Sequence, residues 1–246
     1  MKLLVLLLVV VSSLEIGAFA QTDIDLGPAD HFAVLGASGI TNVSAHTFII
    51  GDVGSFPTPS VTGLTKSQVD GRLYLKASYA TSHAQTGLTV AYNQAANAPC
   101  ENDLTGKDLG GLTLGPGVYC FSSSAGLTGT LTLDANGNTN AQWIFQIGST
   151  LTAASNSTVD IVLGHRTRGD GPQPLWKQGL EGCNVYWQVG SSATIGTGSI
   201  FRGKILALTS ITLNGGTLHG KALASNGAVT MSARETVNGP PCGAGT

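Results

Sequence analysis

Charge is what this sequence has least of. Lysine, arginine, aspartate and glutamate make up 11% of its 246 residues, against about 25% in an ordinary soluble domain. The twelve basic and fourteen acidic side chains are dispersed along the chain, so there is no footprint for nucleic acid or for an acidic membrane surface. Long apolar runs are also missing beyond the first residues, and no stretch reaches the roughly 20 residues of a membrane span. Histidine is scarce, and the four cysteines, Cys100, Cys120, Cys183 and Cys242, have no CxxC spacing. That excludes the usual metal-ligand patterns, and no metal or other cofactor is expected.

The chain opens with a leader instead. Lys2, the run Leu3 to Val11 and the small-residue site Ala18-Phe19-Ala20 read as a cleaved secretory signal over residues 1–20. A secreted, extracellular product beginning at Gln21 is predicted, with one domain over 21–246. Behind a secretory signal, four cysteines predict two disulfides out of three possible pairings. The short loop closed by Cys100 and Cys120 favours that pair, which leaves Cys183 with Cys242. Asn42-Val43-Ser44 and Asn156-Ser157-Thr158 are glycosylation sequons, usable in a secreted chain.

Glycine is abundant, with 34 residues, and it punctuates short apolar segments that repeat. VYCFSSSAGLTG (118–129), IFQIGSTLTAAS (144–155), VYWQVGSSATIGTG (185–198), ILALTSITLNGG (205–216) and ALASNGAVTMSA (222–233) share one plan. An apolar strand and a small polar turn lead to a short strand in which threonine is flanked mostly by apolar residues. A third strand follows each: LTLD, VDIVL, SIFRG, TLHG, ETV. Three strands per turn with a minimum period of eighteen, from Thr194 to Thr212 to Thr230, predict a β-solenoid, whose units must stack to close a core. FAVLGASGITN (32–42) repeats the plan before one segment of different period. From 66 to 98, small or apolar residues at 69, 73, 77, 80, 84, 88, 91 and 95 predict one long helix, weakened by Gly87 and stopped by Pro99. Residues 165–182, rich in glycine, proline and charge, form a protruding loop.

Strand parity then picks out a surface. With Ile211 and Leu213 inside, Thr212 points out, and so by the same spacing do Thr41, Thr128, Thr152, Thr194 and Thr230. Two residues earlier stand Gly39, Gly126, Thr150, Ser192, Ser210 and Ala228. None of the twelve carries charge. Threonine fits any pleated strand, but an ordinary exposed strand face uses charge for solubility. The partner expected for such a wall is repetitive, flat and uncharged.

LGASGITNVSAHTFIIGDVG, LTGKDLGGLTLGPGVYCF, WIFQIGSTLTAAS and NVYWQVGSSATIGTGSIFRGKILAL resemble the signature blocks of the microbial ice-binding protein family, the DUF3494 type, over nearly all of residues 27–238. The resemblance implies a mainly β fold: a discontinuous, right-handed, three-sided β-helix with a long α-helix packed alongside. It also implies adsorption to an ice crystal surface by one flat face, which in some members carries a Thr-Ala/Gly-x-Thr/Asn pattern. Thr209-Ser210-Ile211-Thr212 is close to that pattern, and Ser38-Gly39-Ile40-Thr41 and Ala125-Gly126-Leu127-Thr128 match in part. Gly227-Ala228-Val229-Thr230 keeps its last three positions, while Ser191-Ser192-Ala193-Thr194 and Ser149-Thr150-Leu151-Thr152 lack the Ala/Gly. A monomer is expected.

Two other classes compete. Secreted solenoids include polysaccharide-active enzymes, but Asp52, Asp103, Asp108, Asp134, Asp160 and Glu235 lie scattered with no recognisable acid/base pair. An adhesin or glycan-binding module using Arg168-Gly169-Asp170 or Trp176 is the stronger alternative.

Overall fold

A computed structural model of the chain describes residues 24–164 and 182–239. The leader, the loop bearing Arg168-Gly169-Asp170 and Trp176, and Cys242 lie outside the described residues. Among those described, the fold is mainly β, with parallel pairing throughout its two sheets and a single α-helix.

The repeated blocks become rungs. Gly117–Phe121, Ala125–Leu127 and Thr130–Asp134 form one rung and pair strand for strand with Trp143–Ile147, Leu151–Ala153 and Thr158–Val162. The next rungs run through Val185–Val189 and Ala193–Ile195, then Ile211–Leu213, then Ala228–Met231 and Glu235–Asn238. Here the third strand of one rung runs straight into the first strand of the next, as in Ser199–Ala207 and Gly216–Ala224. First and third strands build a 14-stranded sheet, and middle strands a separate 7-stranded one.

Stacking order departs from chain order at one place. Phe32–Gly36, Gly39–Asn42 and Phe48–Ile50 dock on the last C-terminal rung, through Val34 opposite Ala222, Thr41 opposite Thr230 and Ile49 opposite Val237. Asp52–Ser55, Val61–Thr62 and Val69–Asp70 then close that end. From there the helix returns the chain to the opposite end of the stack, where Asn102–Asp103 pairs with Gly117–Phe121.

The helix spans Tyr79–Asn97, shorter than the expected 66–98. Its true start is a reciprocal cap: the Ser78 hydroxyl accepts from the Thr81 N–H, and the Thr81 hydroxyl accepts from the Ser78 N–H. Such a cap satisfies donors that the first helical turn leaves free. Upstream, Val69 and Leu73 carry the apparent helical period, but Val69 pairs with Ile49 and Leu73 bridges to Val53. A spacing of four also keeps strand parity, and sheet pairing prevails there. Ala84, Leu88, Ala91 and Ala95 are buried as expected, whereas Ala77 is exposed.

One apolar core fills the stack. Its spine is a ladder of rings in register on successive first strands, Tyr119 to Phe145 at 5.5 Å and Phe145 to Trp187 at 4.0 Å, against which Phe201, from the third-strand half of Ser199–Ala207, packs at 4.9 Å from Trp187. Burial of each large apolar side chain contributes about 1.5–3 kcal/mol, and stacking identical positions repeats that gain at every rung. A second cluster lies outside the first-strand wall, where Val118, Ile144, Leu206 and Leu223 meet the small side chains of the helix. Gln146 and Gln188 reach from that wall to the Ala95 carbonyl and the Tyr92 hydroxyl, fastening the helix to it. The helix thereby covers the first-strand wall. No helix among the described residues is long and apolar enough to cross a membrane.

The Cys100–Cys120 disulfide forms as expected, with Cα atoms 5.9 Å apart. Cys183 is also disulfide-bonded; its expected partner, Cys242, lies outside the described residues.

Candidate functional site

The middle strands are two to four residues long, so alternation buries at most two side chains on each. In Leu151–Ala153, Ala193–Ile195 and Ile211–Leu213 the outer pair is buried and the central threonine faces out. Parallel register then aligns those threonines in one file: Thr152 opposite Thr194, Thr194 opposite Thr212, Thr212 opposite Thr230, Thr230 opposite Thr41 and Thr41 opposite Thr62. Neighbours in such a file are about 4.7–4.9 Å apart. The hydroxyls of these six threonines have no partner among the described residues.

Thr128 does not belong to the file. Gly126, not Thr128, stands opposite Thr152, and Thr128 lies two positions farther along, past the strand's end. Its hydroxyl and N–H both bond to Asp108, at 3.1 and 2.9 Å. Asp108 bridges to Gly126 and continues the file beyond it. The wall is therefore uncharged over its threonines and ends in a carboxylate on one side, a charge that the sequence spacing did not place there.

The second file differs from the first in chemistry. Thr150, Ser192, Ser210 and Ala228 follow one another, with Gly39 buried beside them. The Thr150 hydroxyl bonds to Ser124 at 2.8 Å. Ser192 and Ser210 turn their hydroxyls sideways to accept from the backbone N–H groups of Ser210 and Ala228, each at 3.3 Å. These side chains fasten one rung to the next, whereas the threonine file presents its hydroxyls outward.

Residues absent from the expected set are Ser60, Thr62, Ser124 and Asp108. Thr62 stands opposite Thr41, and Ser60 accepts from the Ile40 N–H. No repeated block announces them, since Val61–Thr62 is a two-residue strand in a proline-bearing loop.

The third wall is of another character. Arg202 stands opposite His219, Asp160 approaches Arg202 at 4.0 Å, and Ile200 and Phe48 are exposed. The scattered carboxylates mostly serve the backbone. Asp52 accepts from Arg72, Asp103 from Thr105 and Asp134 from Asn136.

The two sequons separate sharply. Asn156 is exposed, at a turn with φ 60°. Asn42 is buried, and its side-chain amide donates to the carbonyls of Ser44 and Gly63 at 2.7 and 2.8 Å. A glycan would need that same nitrogen, so the expectation of a glycan on Asn42 is corrected: the folded rung has no room for one.

Known proteins are similar to this chain over most of its length. The model of the family described as ice-binding-like matches residues 34–237. An ice-binding protein of Nostoc sp. (strain HG1) is 46% identical over 237 residues, 96% of this chain and 81% of that one. One from Leucosporidium sp. (strain AY30) is 32% identical, across 88% of this chain and 84% of its own. Among solved structures, an ice-binding protein from an Antarctic biological consortium superposes with a TM-score of 0.74 at 38% identity, covering 88% of this chain and 90% of that one. A glycosylated ice-binding protein from an Arctic yeast gives 0.76 at 29% identity, covering 90% and 96%.

Proposed function

This chain belongs to the ice-binding-like family, and from that premise we propose that it adsorbs to ice through the middle-strand wall. The observation that carries the reading is the file of threonines from Thr152 through Thr194, Thr212, Thr230 and Thr41, in register and with hydroxyls that have no partner among the described residues. Each offers a methyl group that water must enclose and a hydroxyl that anchors the enclosing water. Short side chains lose little rotamer freedom on docking, whereas a lysine or glutamate would cost about 1.5–2 kcal/mol. Stacked rungs keep the array stiff, so waters ordered over it merge with a growing crystal. Adsorbed molecules pin the ice front, which depresses the freezing point and slows recrystallisation. No covalent step and no cofactor enter this mechanism.

In the same reading the rungs wind as a right-handed, three-sided β-helix, and the mature product is a secreted monomeric domain over 21–246 following a cleaved leader over 1–20. Asn156 is the sequon that the fold leaves open to a glycan. Thr212→Tyr adds bulk at the centre of the file, where peripheral contacts cannot compensate. Thermal hysteresis is expected to be lost at an unchanged melting temperature. Full hysteresis in that variant means that another surface meets the ice.

A further inference from the structure

We propose that the ice-contacting file runs one rung past the repeated blocks, through Ser60 and Thr62, and that Asn42 is the residue that positions this rung. The proposal rests on the ice-adsorption reading and concerns where the face ends.

At the far end the file stops early. Gly126 has no side chain to offer, and the Asp108 carboxylate lies 3.0 Å from where a β-carbon on it would sit. A charged, hydrated group beside a gap is a poor neighbour for an ordered water layer. At the near end the opposite holds, because Thr62 is exposed, in register with Thr41, and its hydroxyl has no partner among the described residues. The face is thus displaced by one rung towards the N-terminal segment.

An edge strand of two residues does not hold a register by its own ladder. Asn42 supplies the missing constraint, since it follows Thr41 directly, points inward and donates to the carbonyl of Gly63, the residue after Thr62. Its other amide hydrogen goes to Ser44, and its carbonyl oxygen accepts from the Thr47 hydroxyl at 2.7 Å. Gln68 completes the clamp from the edge rung, donating to the same Ser44 carbonyl at 3.0 Å. Gly63 sits at φ 76°, and a side chain there would strike the Asn42 backbone carbonyl, which shows how closely the edge rung is drawn down. Three of the four hydrogen-bonding capacities of this side-chain amide are used, and the bond to Thr47 is buried, so a shorter side chain leaves the Gly63 carbonyl without its side-chain donor and the Thr47 hydroxyl without its acceptor.

Thr62→Tyr, Thr128→Tyr and Thr212→Tyr separate the possibilities when thermal hysteresis and melting temperature are measured together. Thr62→Tyr is expected to lower hysteresis about twofold, less than the central substitution, because edge contacts contribute less than central ones. Thr128→Tyr is expected to leave it unchanged. Loss in Thr212→Tyr with none in Thr62→Tyr overturns the extension while the face reading stands. Retention in both overturns the face reading as well. For the clamp, Asn42→Ala is expected to match the Thr62→Tyr loss, and the double variant to lose nothing more. Additive loss means that Asn42 does not act through Thr62. If Asn42→Ala fails to fold, Gln68→Ala, at the other half of the clamp, is read in the same way.

Discussion

At the residue scale the decisive distinction is between a hydroxyl that serves the protein and one that is left over. Ser192 and Ser210 satisfy backbone donors of the next rung, while the threonines beside them do not. Sequence parity places both outside, and only hydrogen-bond geometry tells them apart. Among the described residues, the same scale holds one strongly perturbed carboxyl. Glu235 is buried at the corner behind the wall, where burial pushes its pKa up to about 7 against the single N–H that Gly215 donates to it. A carboxyl whose folded pKa exceeds its unfolded value contributes stability that is complete below pH 4.5 and is lost as pH rises through about 7. The melting temperature is therefore expected to fall between pH 5 and pH 8, and Glu235→Gln to flatten that slope. The stake is up to about 3 kcal/mol. A wild-type melting curve indifferent to pH over that window means that Glu235 does not titrate there.

At the element scale the helix is a cover, and its composition follows from how close it must lie. Small residues on its inner face let it approach both the first-strand wall and the segment Gly27–His31. Gly87 reads in sequence as a weak point, yet a β-carbon there would collide with the Leu26 carbonyl. Alanine normally stabilises a helix interior by about 1 kcal/mol relative to glycine. At this position Gly87→Ala is expected to destabilise instead, by about 1–3 kcal/mol, in a denaturant titration. A stabilised variant means that the two segments separate readily. The start of the expected helix, 66–78, is lost to sheet pairing, since Val69 and Leu73 stand opposite Ile49 and Val53, residues outside any local helical period.

At the scale of the whole molecule, the critical joint is where the segment around Asp30 meets the C-terminal rungs at Lys204, Lys221 and Gly239. Lys221 donates to the carbonyls of Asp30 and Gly239, and Lys204 and Lys221 lie 3.7 and 3.6 Å from the Asp30 carboxylate. Burial lowers the pKa of both lysines, that of Lys221 to about 8. This joint holds the N-terminal rungs on the C-terminal ones, and with them Thr41 and Thr62 on the face. Asp30→Asn leaves two buried ammonium groups facing a neutral amide and is expected to cost about 2–3 kcal/mol, since the partly exposed carboxylate is worth less than a fully buried one. Amide exchange should rise first over Phe32–Gly36. Because the folded pKa of Lys221 lies below its unfolded value, the loss of stability on protonation is complete below about pH 8 and is relieved as pH rises towards 10.5. Exchange that rises uniformly over all rungs means that the joint is not a separate unit.

The sequence by itself determined the rung: apolar pairs around a central threonine, a third strand after each, small turns, and a face without charge. Those features are local, repeated and set by strand parity, so spacing alone reveals them. Only the tertiary structure decided how rungs align. Thr128 shares the motif but Gly126 takes the place opposite Thr152; Asn42 reads as an acceptor of sugar but is a buried clamp; and Thr62 belongs to the file without any motif. Register is set by hydrogen bonds between segments far apart in the chain, and loops of unequal length between rungs erase from the sequence the distance at which each partner will be found.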